Sequence, residues 1–179
     1  MEKLKRSKQD FSHITPPEGS RIIPLTRGKY ALVDEEDYER VMKHNWYCLV
    51  TKDGKEYAVH KSKEYLSMHR VIMGLEKTDK RVIDHIFGET LDNRKSQLRI
   101  CTIQQNSQNS RSSKGMSKYK GVSWDKPRNK WKAQICPSFK TNTFIGRYDT
   151  EIEAARAYDT KAKELHGEFA YLNFKCISK

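Results

Sequence analysis

Cysteine is sparse and never closely spaced: Cys48, Cys101, Cys136 and Cys176 form no Cys-x-x-Cys pair. That argues against paired-cysteine zinc knuckles and points to buried thiols in a reducing compartment. Long apolar runs are missing too. The basic start, Met1 to Lys8, leads into no apolar core of signal-peptide length, and no later run reaches the ~20 residues of a membrane span. A soluble, cytoplasmic protein without a membrane partner is expected. Acids nearly vanish between Arg111 and Arg147, where ten Lys and Arg face one acid, Asp125. Within a net charge of +12, such a block suits a polyanion, although charge alone divides evenly between that and a solvated basic face. With 179 residues, 36% of them hydrophobic, two small modules fit better than one large core.

After a polar, flexible start over residues 1–20, apolar residues flank Arg27-Gly28-Lys29 as in a hairpin. Asp34 then stands as a helix N-cap before the acids Glu35, Glu36 and Asp37, with Tyr38, Val41 and Met42 at helical spacing. Trp46 to Val50 and Glu56 to His60 are β-prone runs joined by Lys52-Asp53-Gly54-Lys55, a tight-turn sequence. Met68 to Gly74 predicts a short helix or strand end. Its His69, lacking a carboxylate partner at motif spacing, is read as structural or surface.

The chemistry concentrates between Asp84 and Asn106. Arg81-Val82-Ile83 is β-prone, so Asp84 and His85 present an acid and an imidazole side by side at a strand end. Leu98-Arg99-Ile100-Cys101 predicts a returning strand, and Thr102 with Gln105 forms a capping box for a helix that carries Asn106. Strand, strand and helix thus bring Asp84, His85 and Asn106 towards one point. An imidazole can accept a proton near neutrality, while carboxylate and amide oxygens are hard ligands suited to Mg or Mn.

Residues 65–110 resemble the HNH DNA endonucleases of the phage and intron-encoded type, through Asp84-His85, Leu91-Asp92-Asn93-Arg94 and Leu98-Arg99. The resemblance implies that His85 is the general base and that Asp84 and Asn106 hold a divalent metal, Mg or Mn. It also implies a middle asparagine 12 residues after the histidine, where this chain has Gln97. Spacing and the following Leu98-Arg99 favour position 97 over Asn93 as the equivalent, so Gln97 is expected to orient His85, with looser positioning. Phe87 replaces a usual Asn or Asp.

Beyond a basic linker at residues 111–117, three β-prone runs near Lys118 to Trp124, Lys130 to Cys136 and Thr141 to Ile145 precede a helix opened by the Thr150/Glu153 capping box. Trp131, Ala133 and Ile135 alternate with Lys130, Lys132 and Gln134, giving one apolar and one basic face. Ala155, Tyr158, Ala162 and Leu165 make an apolar helical stripe ended by Gly167, with Tyr158 and Trp131 in the core. Tyr119-Lys120-Gly121-Val122, Phe144-Ile145-Gly146-Arg147-Tyr148 and Gly167-Glu168-Phe169-Ala170-Tyr171-Leu172-Asn173-Phe174 complete a pattern that resembles the APETALA/ethylene-response-factor DNA-binding domain. That resemblance implies a three-stranded antiparallel sheet laid in the DNA major groove and backed by one helix. Lys120, Lys130 and Lys132 are expected on phosphates, with Trp124, Gln134 and Phe144 on bases or sugars.

The expected fold is α+β: a mixed N-terminal layer and ββα-metal nuclease core over residues 21–110, with the core itself at about 80–110, then the sheet-and-helix module at 118–175. The function implied is a metal-dependent, site-directed endonuclease of the homing type that nicks double-stranded DNA as a monomer or transient dimer. The alternative is a non-catalytic DNA-binding or regulatory protein with a degenerate HNH site.

Overall fold

The computed structural model describes residues 10–61, 65–110, 116–138 and 141–174. The basic start, most of the linker and Cys176 lie outside them. The fold is α+β, with several small sheets and few helices, and it divides into two compact units, Met1–Ile100 and Cys101–Lys179. Among the described residues no helix is long and apolar enough to cross a membrane.

In the first unit, β1 (Ser20–Pro24) and β2 (Tyr30–Asp34) form an antiparallel hairpin. Its turn needs two positive φ values, 62° at Arg27 and 71° at Gly28, a geometry that follows the right-handed twist of the strands. Helix α1 (Glu35–Met42) starts behind Asp34, with three acids in its first turn and Arg40 in its last. Asp34 occupies the N-cap position without capping through its side chain. Its carboxylate instead accepts the backbone N–H of Lys95 at 2.7 Å, so it ties the start of α1 to the segment before a later strand. Val41 is buried as expected, whereas Met42 is 47% exposed. One residue turns the helix by about 100°, which carries Met42 off the inward line of Asp37 and Val41.

Strands β3 (Trp46–Val50), β4 (Glu56–Lys61) and β5 (Tyr65–Ser67) form an antiparallel sheet in that order, and the β3–β4 turn uses Gly54 at φ 81°. Helix α2 (Met68–Ile72) follows at once and packs on β4. Then come β6 (Val82–His85), a 3-10 turn (Lys95–Gln97) and β7 (Leu98–Cys101), with β6 and β7 paired. Ile83 of β6 and Leu98 of β7 join Ile23, Val33, Val41, Trp46, Ala58, Met68 and Ile72 in one core cluster. This burial fixes the register of β6, and Asp84 and His85 follow Ile83 directly.

In the second unit, α3 (Ile103–Asn109) opens with the expected reciprocal capping box of Thr102 and Gln105. Strands β8 (Val122–Asp125), β9 (Lys130–Ile135) and β10 (Thr143–Tyr148) make an antiparallel sheet with β9 central. Helix α4 (Glu151–His166), capped by Thr150 and Glu153, packs on it through Ala154, Ala155, Tyr158 and Ala162 against Val122, Ala133 and Ile135. Tyr158 is fully buried and Trp131 packs at the edge of this core. Leu165 departs from the expected stripe: it is 42% exposed, because the buried line of α4 runs through Asp159, Ala162 and His166. Of the cysteines, Cys48 and Cys101 are buried but Cys136, just past the end of β9, is exposed.

Gly121 shows how tightly strand and helix meet. Its φ is +76°, and a Cβ there would sit 2.1 Å from Cδ2 of Tyr158 and 2.6 Å from the carbonyl oxygen of Gln134. Overpacking of this kind costs about 1–3 kcal/mol and the left-handed backbone about 1–2 more. Gly121→Ala is therefore expected to lower the denaturant midpoint of the second unit, read by fluorescence of Trp124 and Trp131, and to leave the first unit's Trp46 transition in place.

Candidate nuclease site and nucleic-acid interface

Asp84 and His85 are both buried at the end of β6. A carboxylate there needs a partner, and Arg99, on the paired strand β7, supplies it: Nε and a terminal nitrogen donate to the same oxygen, Oδ2, at 2.9 and 2.7 Å. The Arg99 side chain is itself only 12% exposed, so the pair is largely withdrawn from water. His85 lies in a nest of rings. The His69 ring stands perpendicular to it at 5.3 Å between centroids, and Tyr57 lies 6.2 Å from His85 and 6.1 Å from His69. Burial pushes the pKa of His85 below its ordinary value, opposed by the side chain of Asn93 and then by the charges of Asp84 and Asp92. His69 is driven further, to about 3, by burial first and then by His85 and Arg70. Although part of its surface is open, His69 is a neutral imidazole at physiological pH.

His69 is the residue that sequence reasoning missed. No motif spacing joins positions 69 and 85; tertiary packing sets both rings against Tyr57 of β4 and against each other. The amide beside the candidate base also differs from the expected one. Asn93 is 1% exposed, with its N–H donating to Leu32 O at 2.8 Å and its Nδ2 to Leu91 O at 3.1 Å, and its side chain is the amide that opposes the burial-driven fall of the His85 pKa. The side chain of Gln97 makes a long 3.5 Å contact with Ser96 Oγ. What position 97 does hold is the backbone, since its carbonyl accepts the N–H of Ile86, the residue after His85, at 2.9 Å. Asn106 lies in the first turns of α3, in the second unit, its N–H bonded to Thr102 O at 3.0 Å. Phe87 is 56% exposed.

Among the described residues no group of three or more His, Cys, Asp and Glu gathers as a ready metal cage. A hard divalent cation does not require one. Mg is commonly held by one or two carboxylates plus substrate phosphate oxygens and water, and the buried Asp84 carboxylate beside an imidazole fits that pattern.

In the second unit the strand register sorts the expected DNA contacts by face. Antiparallel partners share a face, so the pairs Ser123↔Lys132, Asp125↔Lys130, Gln134↔Phe144 and Lys132↔Arg147 all point away from α4. Lys130, Lys132, Gln134 and Phe144 thus lie together on the outer face. Arg147 joins them, a residue the alternation pattern did not single out because the register shifts between Phe144 and Gly146. Its guanidinium lies 4.8 Å from the Phe144 ring and its Nε 2.7 Å from Asp125 Oδ2. Lys130 is paired with Asp149.

Two expected contacts lie elsewhere. Trp124 pairs with Trp131 on the face that packs toward α4, ring centroids 5.1 Å apart, because both sit in register with the inward Val122 and Ala133. Lys120 precedes the sheet, and its ammonium donates to backbone carbonyls of residues 107, 108 and 110. Burial there pulls its pKa down to about 8.

Two kinds of relative meet in this chain. An "uncharacterized HNH endonuclease" of Acanthamoeba polyphaga mimivirus is 33% identical over 156 residues, spanning 85% of this chain and 79% of the viral protein. The chain belongs to the HNH endonuclease family. Protein 3.8 of Escherichia phage T7 is 37% identical over 49% of this chain and 72% of its own length. The family model for the AP2 domain matches residues 117–168. An ethylene-responsive transcription factor of Arabidopsis thaliana is 41% identical over 37% of this chain, a stretch that spans 16% of the plant protein. This HNH family member therefore carries an AP2 domain in its C-terminal part.

The buried imidazoles make the first unit acid-sensitive. A histidine whose folded pKa is depressed to about 3 binds a proton in the unfolded chain, near pH 6.5, before it does so in the native state. Its contribution to stability is complete above about pH 6.5 and is lost as pH falls from there towards 3. Denaturant titrations from pH 7.5 to 5 are expected to show falling stability, with a shallower fall in His69→Phe, which keeps a ring in place and cannot be protonated.

Proposed function

We propose that this HNH family protein is a metal-dependent endonuclease that nicks double-stranded DNA, with the AP2 domain bringing it to its target. The observation that carries the reading is the strand end at which Asp84, braced by Arg99, and His85, walled by His69, Tyr57 and Asn93, stand side by side. His85 accepts the proton of the attacking water. Burial favours its neutral form, the form a base must have, and we take the Asn93 side chain beside it to orient the ring. Asp84, with Asn106 as the second ligand that the family resemblance assigns, would hold Mg or Mn. When bound, the metal supplies charge stabilisation for the scissile phosphate and the leaving oxygen. By the same resemblance the products are a 5′ phosphate and a 3′ hydroxyl. On the outer face of the sheet, Lys132 and Lys130 serve phosphates, while Gln134, Phe144 and Arg147 face the bases or sugars.

A second reading, a DNA-binding protein without activity, draws on one observation: Arg99 neutralises the carboxylate that a metal would need. The two separate on supercoiled plasmid with Mg or Mn. The nuclease reading predicts open circles before linear DNA, and a loss of about 10²–10⁴-fold in His85→Ala. Asn93→Ala is expected to lose roughly tenfold or more, while Gln97→Asn stays near wild type, because position 97 acts through its backbone. Direct accumulation of linear DNA would remove nicking. A protein that binds DNA tightly yet cuts none, as wild type and as Gln97→Asn, would favour the second reading.

A further inference from the structure

Helix α3 is short, seven residues, and a helix of that length leaves its last carbonyls without partners of its own. The AP2 domain provides them. The Lys120 ammonium donates to the carbonyl oxygens of Gln108 at 2.5 Å, Ser110 at 2.6 Å and Ser107 at 3.4 Å, gathering the C-terminal end of α3 around one positive charge. A cation there also meets the negative end of the helix dipole. The side-chain amides of Gln104 and Gln108 also donate to the carbonyl oxygen of Pro137, at 3.2 and 3.5 Å, in the segment that leaves β9. Lys120 is fixed in turn. Asn173 brackets its backbone, accepting from its N–H at 2.7 Å and donating to its carbonyl at 3.1 Å. Asp159, on α4, holds Asn173 through the N–H groups of Asn173 and Phe174, both at 2.8 Å. The ring of Tyr171 lies 5.4 Å from the ammonium.

We propose that Lys120 is a positioning residue, the clamp by which the AP2 domain sets α3 and hence Asn106, and that it makes no phosphate contact. The inference rests on the reading in which Asn106 serves the nuclease site. It gives the AP2 domain a task besides binding DNA, because the end of α3 is capped by that domain's own lysine.

The test compares wild type, Lys120→Met and Lys120→Arg in the full chain. A phosphate-contacting lysine contributes about one unit to the slope of log binding constant against log salt. The clamp predicts an unchanged slope and DNA affinity for Lys120→Met, a cleavage rate on saturating DNA reduced roughly tenfold or more, and recovery of part of that rate in Lys120→Arg. It also predicts faster amide hydrogen exchange at Asn106 and Ser110, whose N–H groups close the turns of α3. A slope lower by about one unit, with cleavage of bound DNA unchanged, would overturn the clamp. Unchanged exchange at Asn106 and Ser110 would do so as well. The slope and exchange readouts need no cleavage, so they decide the clamp even if the nuclease reading fails. Should Lys120→Met unfold, Gln104→Ala with Gln108→Ala loosens the same helix from Pro137, and the same outcomes apply.

Discussion

A carboxylate withdrawn from water governs what the first unit can do. Asp84 follows the core residue Ile83 and cannot move to solvent without pulling β6 out of register, so its charge must be answered in place. Arg99 answers it from β7 with two bonds to one oxygen. Removing one partner of such a buried pair typically costs about 3–5 kcal/mol, because the other charge is left uncompensated. The same geometry holds the acid in one place, and the next residue, His85, is carried with it to the edge of the core. The rings of His69 and Tyr57 then limit where the imidazole can turn.

The second unit solves a different problem with the same economy of means. Its small residues, Ala133, Ala154, Ala155 and Ala162, let a helix approach a three-stranded sheet closely, and Tyr158 fills the space that remains over Gly121. With one face of the sheet committed to α4, strand alternation turns Lys132, Gln134, Phe144 and Arg147 outward. Charge is tempered there by Asp125 and Asp149, which hold Arg147 and Lys130 in the free protein. DNA phosphates would compete for the same cations, so ion pairs on this face are exchangeable ones, worth little in water.

Local chemistry wrote much of this plainly. The hairpin at Arg27-Gly28, the capping boxes at Thr102 and Thr150, the strand end at Asp84-His85 and the buried Tyr158 follow from neighbours a few residues apart, where spacing alone decides. What could not be read that way depends on tertiary packing. His69 gains its meaning from α2 lying on β4. Asn93 reaches His85 because the loop around it bonds to Leu32 on a strand some sixty residues away. Trp124 turns inward because its register partner is Trp131, and Lys120 finds helix carbonyls instead of solvent. Periodicity places Met42 and Leu165 on buried faces, and the structure turns both outward by about a third of a turn, because a short apolar stripe does not fix its own centre.

In the proposed function one chain joins DNA recognition by an AP2 domain to phosphodiester cleavage at Asp84 and His85. Its most direct test selects bound sequences from a random duplex pool, then incubates the selected DNA with protein and Mg or Mn and sequences the ends formed. Cleavage is expected to leave 5′-phosphorylated ends at one fixed distance from the selected sequence, absent with His85→Ala. Ends scattered without relation to the bound sequence, or selected DNA that stays intact, would contradict it.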